Sequence, residues 1–154
     1  MRATKNILVV CGMVKFCSSV VHAGVDLAQK FGAELYVMEV IHDPFGTKGW
    51  SLPLPNLEAD YRKLWDKVNK DLKAIIDREK KSGTVIHELV REGAPVDAIT
   101  KVIREHSIDL LILPAHEETR IERFFFGHDN EELIRRMPCS ILLVKRGSDV
   151  HSAV

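Results

Sequence analysis

The chain has no surplus of charge and no long apolar run. Its 154 residues include 22 Lys and Arg against 22 Asp and Glu. A nucleic-acid-binding domain usually shows a basic surplus on one face, so we expect no nucleic-acid partner. The apolar run nearest the N-terminus, Ile7–Cys11, is too short for a signal sequence or a membrane span. We therefore expect a cytoplasmic protein without membrane contact.

Cysteine is sparse as well. Cys11, Cys17 and Cys139 are odd in number and form no C-x-x-C pair, which fits a reducing compartment. Cys11 and Cys139 lie in or beside apolar segments, where we expect small core residues. Cys17 follows a predicted loop, where the alternative is a free thiol with a redox role.

Strand-like and helix-like runs alternate along the chain. Short apolar runs rich in β-branched residues predict five strands, over Ile7–Val10, Leu35–Ile41, Val85–Val90, Asp109–Leu113 and Ile141–Val144. Apolar residues at helical spacing predict helices over Ser18–Lys30, from Leu57 to about Ser82, from Pro95 onward, and over Asp129–Met137. Helical crossovers between successive strands imply a parallel sheet with helices on both faces. We expect one domain over residues 1–146 and a polar tail over residues 147–154.

The connection from Asp43 to Asn56 is longer than most loops of compact α/β domains. It combines prolines and glycines with large apolar side chains, including Trp50. Because it leaves the second strand at its carboxyl end, we expect it to cover the ligand side of the sheet. Trp50 should then lie near the loop from Ala115 to Gly127. Both a lid and a partner-binding surface fit this composition.

The loop from Ala115 to Gly127 leaves the fourth strand at its carboxyl end and enters a helix. Such loops hold ligands in α/β sheets, and helix N-termini attract anions. Here the loop carries Glu117, and Asp129 can cap the helix with Glu132 as its capping-box partner. These carboxylates supply the negative charge that the helix dipole attracts. The residues therefore argue against a bound nucleotide.

These segments resemble the universal stress protein (UspA) family over Lys5–Lys145. The most specific similarity lies in Glu122–Gly127 and in the helix and closing strand of Glu131–Val144. The opening segment Lys5–Val10 and the turn Arg91–Pro95 are also similar to segments of the family. The resemblance implies a Rossmann-like three-layer α/β fold with a five-stranded parallel sheet of order 3-2-1-4-5. It also implies a stress-response role and a homodimer.

ATP-binding members of that family carry Gly-x-x-Gly, nine residues, and then Gly-Ser or Gly-Thr. Anchored on Gly127, the matching positions hold Pro114, Glu117 and His128, and Gly12 replaces an Asp at the end of the first strand. Proline lacks a backbone N–H donor. A carboxylate about 4 Å from a phosphate charge costs ~1 kcal/mol in water and ~4 kcal/mol near a protein surface. We expect no cofactor, with ATP or AMP as the disfavoured alternative.

The candidate ligand crevice gathers residues from the carboxyl ends of the strands and the loops that follow them: Gly12, Met13, Val40, Pro114, His116, Glu117, Arg120, Arg123, Gly127, His128 and Asp129. In a nucleotide-binding stress sensor, Arg120 and Arg123 would bind phosphate. In an enzyme acting on a small phosphorylated metabolite, His116 or His128 would be the acid–base group.

Motifs for other chemistry are missing. Ser18 and Ser19 lack a nucleophile elbow, and the residues after His116 do not form a zinc-binding H-E-x-x-H motif. Nothing fixes the spacing of His116, His128 and Asp129 for a metal, so we expect no metal site. We favour a regulatory or interaction module over an enzyme.

The last predicted strand is apolar throughout and should lie at an edge of the sheet. It comprises Ile141, Leu142, Leu143 and Val144, and the first protecting charges follow only at Lys145 and Arg146. An unprotected apolar edge invites pairing with another chain. We therefore expect a homodimer through this strand about a two-fold axis. Besides the second copy of the chain, we expect an unknown protein partner or small ligand.

Overall fold

A computed structural model describes residues 3–11, 14–41, 57–81, 83–115 and 135–145 of the chain. The order of its elements is β1 (Asn6–Cys11), α1 (Val14–Phe31), β2 (Glu34–Ile41), α2 (Leu57–Glu79), β3 (Ile86–Glu92), α3 (Pro95–Glu105), β4 (Leu110–Ala115) and β5 (Ser140–Lys145). All neighbouring strands are parallel, in the order β3-β2-β1-β4-β5. The predicted α/β class and strand order are confirmed.

Two hydrophobic cores lie on opposite faces of the sheet. Ile7, Val9 and Cys11 of β1 pack toward α1 and α2. The alternate residues Leu8 and Val10 pack toward α3. Because successive side chains of a strand point to opposite faces, a strand covered on both sides must be apolar at every position. This arrangement explains the unbroken apolar run of β1 and gives the three predicted layers.

The helix α1 begins four residues before its predicted start at Ser18. Cys17 stands four residues before Val21 and is equally buried, so the apolar stripe continues one more turn toward the N-terminus. The helix is followed by Gly32 at φ 64°, the left-handed conformation that commonly ends a helix. Phe31, its last residue, is 51% exposed.

Strand ends differ from the predicted ends by one or two residues. β3 begins and ends slightly later than predicted, and β4 continues to Ala115, so that Pro114 is a strand residue. Pro95 occupies the first turn of α3, as predicted. Of the helix predicted over Asp129–Met137, residues 135–137 are described: Arg135 and Arg136 are helical, and Met137 is not, so the helix ends one residue earlier than predicted. The 43–56 connection and the 147–154 tail lie outside the described residues.

Two local contacts position β1 at the centre of the sheet. The Asp109 Oδ2 atom accepts hydrogen bonds from the backbone N–H groups of Lys5 (2.8 Å) and Asn6 (3.0 Å), which joins the amino ends of β1 and β4. On α1, Gly24 lies so close to β1 that a Cβ atom there would be 2.5 Å from Cγ2 of Val9. The helix therefore packs directly on the strand, with its first turn beside the carboxyl end of β1.

Candidate functional site

The ladder between β1 and β4 is shorter than the ladders beside it. Its last pair is Val9 with Ile112. β1 nevertheless stays paired with β2 as far as Cys11, and β4 stays paired with β5 as far as Ala115. The two central strands therefore separate at their carboxyl ends. The crossovers also change direction between these two strands, and ligand crevices of α/β sheets form at such switch points.

Pro114 and Val40 are the predicted crevice residues that the structure describes. Pro114 is buried in β4, two residues beyond the last pair with β1. Proline suits this position because the β1 ladder has ended, and it offers no backbone N–H to a ligand. Val40 is the next-to-last residue of β2 and packs with Val10 on the α3 face. The others lie outside the described residues: Gly12, Met13, His116, Glu117, Arg120, Arg123, Gly127, His128 and Asp129.

Glu39 is a buried carboxyl group at the same end of the sheet, and it was not among the predicted site residues. It is 8% exposed, and its Oε2 atom has no hydrogen-bond partner among the described residues. Burial raises the pKa of Glu39 to about 8, while a hydrogen bond from the Val40 backbone lowers it in part. An ionisable residue inside the otherwise hydrophobic run Leu35–Ile41 was the sequence signal, because such residues are seldom buried without a role.

Cys11 and Cys17 form a disulfide between the last residue of β1 and the first turn of α1. Their Cα atoms are 4.9 Å apart, within the usual range for such a bond, and both side chains are 1% exposed. The expectation of unpaired cysteines was wrong, because the earlier start of α1 turns Cys17 toward Cys11. Cys11 is a core residue, as predicted. Cys139 has a free thiol that is half-buried, and burial raises its pKa to about 11.

Ser18 and His22 share one carboxylate instead of contacting each other. Ser18 Oγ donates a hydrogen bond to Oε1 of Glu79 at 2.9 Å, and His22 Nδ1 lies 2.8 Å from Oε2 of the same residue. Nucleophilic catalysis by serine requires a base bonded to the hydroxyl group. This cluster therefore fastens α1 to α2.

The described ranges contain neither a metal site nor a membrane-spanning helix. No three His, Cys, Asp or Glu side chains in these ranges come together as a metal site, and His116, His128 and Asp129 lie outside them. Within the same ranges, each helix is too short or too polar to cross a membrane.

The two edges of the sheet differ in chemistry. On β5, Leu142 and Leu143 are 37% and 54% exposed. On β3, the other edge, charged and imidazole side chains line the strand: His87, Glu88, Arg91 and Glu92. Charged residues discourage an edge from pairing with another chain. They occur along β3, whereas the one charged residue of β5 is Lys145 at its carboxyl end, which was predicted to lie beyond the strand.

Residues 3–145 match the model of the universal stress protein family. The chain belongs to this family. It is 26% identical to universal stress protein MJ0531 of Methanocaldococcus jannaschii over 127 residues, which cover 79% of this chain and 71% of that protein. The resemblance drawn from the sequence is thereby confirmed at the level of the family.

Solved structures of the family share the fold. A universal stress protein in complex with cAMP has a TM-score of 0.65 and 22% identity, over 95% of this chain and 100% of that one. Universal stress protein UspA from Lactobacillus plantarum has a TM-score of 0.65 and 19% identity, over 94% and 99%. The Rossmann-like α/β architecture of this universal stress protein is common to both.

Proposed function

We propose that this universal stress protein is a cytoplasmic, dimeric regulatory module that acts by interaction and not by catalysis. The observation that carries the proposal is the contrast between the edges of its sheet. Leu142 and Leu143 expose large apolar side chains on β5, whereas charged residues protect β3. An edge of this kind favours pairing with a second copy.

The register of β5 supports a self-complementary interface. Leu142 pairs with Ile112, which belongs to the core under α1 and α2, and Leu143 pairs with Leu113, which belongs to the core under α3. The exposed leucines therefore extend both cores to the sheet edge. Pairing β5 with its two-fold copy would continue the sheet and cover both cores at once. Light scattering coupled to size exclusion tests this dimer.

The module is further proposed to bind ATP and AMP weakly. Pro114 lies in β4 two residues beyond the last pair with β1, and a proline at that strand end offers no N–H donor to a phosphate. Glu117 adds a carboxylate, and His128 and Gly12 stand where ATP-binding relatives have other residues. Backbone donors and an uncharged loop are what a triphosphate needs at such a site. Titration calorimetry with ATP and AMP tests this part of the proposal.

A nucleotide-binding stress sensor is the second candidate. Two observations favour it: the strands β1 and β4 separate at the switch point, and a solved relative of the same fold holds cAMP. Arg120 and Arg123 would then replace the missing backbone donors by binding phosphate through their guanidinium groups. Low-micromolar affinity that is lost on substitution of both arginines would favour this candidate over the first.

A further inference from the structure

We propose that Cys11, Cys17 and Glu39 form a redox centre at the carboxyl ends of β1 and β2. In this centre the two cysteines interconvert between dithiol and disulfide, and Glu39 accepts the proton of Cys11. The proposal does not depend on whether the crevice binds a nucleotide. It rests on the pairing of the cysteines, the strand register and the buried Oε2 atom of Glu39, which has no hydrogen-bond partner among the described residues.

The strand register places Glu39 beside Cys11. The two residues are direct partners in the parallel ladder of β1 and β2, where neighbouring strands are about 4.8 Å apart. Cys11 packs on the face covered by α1 and α2, and so does Val37, two residues before Glu39. Because alternate residues of a strand share a face, the Glu39 side chain lies on the same face as Cys11 and the Cys11–Cys17 bond.

Apart from the hydrogen bond from the Val40 backbone N–H, no contact within the described residues uses the carboxyl group of Glu39. Its Oε2 atom has no hydrogen-bond partner among the described residues, and the residue is 8% exposed. A buried carboxyl group left unpaired is costly, so its retention calls for a role. The charged groups on the same face bond to one another at the surface of α1 and α2 or lie exposed on β3: His22, Asp26, Glu79, Lys81, Glu88 and Glu92.

Oxidation of the two cysteines takes two steps. Cys17 is suited to attack an external disulfide first, and Cys11 is suited to attack the resulting mixed disulfide. Cys17 is the fourth residue of α1, where the positive end of the helix dipole stabilises a thiolate. Cys11 lies at a strand end without such help and needs a base to form its thiolate. Glu39, its direct partner in the ladder, is the carboxyl group placed to accept that proton.

The oxidant is a low-molecular-weight disulfide such as glutathione disulfide. The Cys17 thiolate attacks one sulfur of the oxidant, forms a mixed disulfide and releases one thiolate. Glu39 then takes the proton of Cys11, whose thiolate attacks Sγ of Cys17 and releases the second thiolate. The two protons lost by the protein end on the two released thiols. One protein dithiol and one small disulfide thus give one protein disulfide and two small thiols.

The Cys11–Cys17 bond spans the connection that contains Gly12 and Met13. Disulfides of cytosolic proteins are usually transient and redox-sensing. Both cysteines are 1% exposed, so the first attack requires local opening of the structure, while the second takes place inside it. Oxidation therefore cross-links β1 to α1 beside the ligand crevice, and reduction releases the cross-link.

Redox titration of the Cys139→Ser variant tests the cysteine pair. The folded variant is equilibrated in glutathione buffers of increasing oxidised fraction, quenched with a thiol-alkylating reagent and weighed by mass spectrometry. We expect two alkylated thiols in reducing buffer and none in oxidising buffer. Two reactive thiols across the entire series would overturn the proposal. In the further variant Cys11→Ser, Cys17 should accumulate one bound glutathione per chain, and its failure to do so would also overturn the proposal.

The role of Glu39 is tested by the pH dependence of the rate at which the internal Cys11–Cys17 disulfide forms. Glu39→Gln in the Cys139→Ser background should slow conversion of the mixed disulfide to the internal disulfide on the order of 10²-fold near neutral pH. The difference should shrink as the pH rises and solvent deprotonates Cys11. Glu88→Gln, an exposed carboxyl group on the same face, is the matched control and should leave the rate unchanged. Equal rates for Glu39→Gln and the control at all pH values would overturn the assignment of Glu39.

Discussion

Val9 and Ile112 form the last pair of the ladder between β1 and β4, although both strands continue beyond it. The separation that follows lies at the switch point of the sheet, where ligand crevices of α/β proteins form. Pro114 lies in β4 beyond that last pair, and the Cys11–Cys17 bond joins the end of β1 to α1. Proline and a cross-linked β1–α1 connection are both poor substitutes for a glycine-rich phosphate loop, which favours a function other than tight nucleotide binding.

The first prediction concerns the dimer. Leu143→Lys should convert the protein from dimer to monomer at tens of micromolar, because it places two like charges near the two-fold axis and disrupts an apolar edge. Val85→Lys is the matched control, since Val85 is 53% exposed against 54% for Leu143 and lies beside the opposite edge. Light scattering coupled to size exclusion gives the mass. A monomeric wild type would remove the proposed interface. A dimer that Leu143→Lys leaves intact would place the interface elsewhere.

The second prediction is a pH dependence of stability caused by Glu39. The pKa of this residue rises from 4.5 to about 8 on folding, so the native protein keeps a proton that the unfolded chain has already released. The free energy of unfolding should therefore fall as the pH rises from about 4.5 to about 8. At about 1.36 kcal/mol per pKa unit, the fall is at most about 5 kcal/mol.

Urea denaturation across that pH interval measures this contribution. Glu39→Gln removes the titrating group and should flatten the profile, while Glu88→Gln should retain the wild-type slope because Glu88 is exposed. A wild-type slope in Glu39→Gln would mean that other groups cause the pH dependence.

The third prediction concerns the contact between α1 and β1. Gly24→Ala should destabilise the protein by about 1–3 kcal/mol, because its Cβ atom would lie 2.5 Å from Cγ2 of the buried Val9. Alanine favours a helix over glycine by only about 1 kcal/mol, so the clash outweighs the gain. Lys30→Ala, an exposed position of the same helix, should be close to neutral. Thermal unfolding distinguishes them, and a stabilised Gly24→Ala would show that Val9 can move aside.

The sequence predicts the fold well because the fold follows from periodic patterns. Unbroken apolar runs such as Ile7–Val10 can only be strands buried on both faces, and the crossovers between them require a parallel sheet. The apolar edge at Leu143 was predictable for the same reason. Helix starts were less certain, because the stripe of α1 continues through Cys17 without a capping signal to mark its beginning.

The site residues were harder to predict because they depend on register. Cys11 and Cys17 are six residues apart, a spacing that forms no familiar motif and becomes a pair only when a strand ends and a helix begins between them. Glu39 is one carboxylate in an apolar strand, and its significance appears only when the ladder places it next to Cys11. Side-chain partners across strands follow from tertiary structure and not from local spacing.

The fourth prediction concerns the residues that oppose nucleotide binding. Glu117→Gly combined with His128→Ser should raise the affinity for ATP if charge and loop shape are the obstacles. Restoring a glycine removes the carboxylate and frees the backbone to approach phosphate. Calorimetry of the double variant against wild type measures the gain. An unchanged affinity would shift the obstacle to Gly12 at the end of the first strand.

Titration calorimetry of the wild-type protein with ATP and AMP, with and without magnesium, tests the central claim most directly. The protein should be purified without added nucleotide and fully reduced, so that the Cys11–Cys17 bond does not affect the result. We expect dissociation constants no better than the high micromolar range, because Pro114 offers no backbone N–H donor and Glu117 adds a carboxylate to the loop that would receive the phosphates. Low-micromolar affinity, or ATP that co-purifies with the protein in stoichiometric amount, would contradict the account and favour a nucleotide-binding stress sensor.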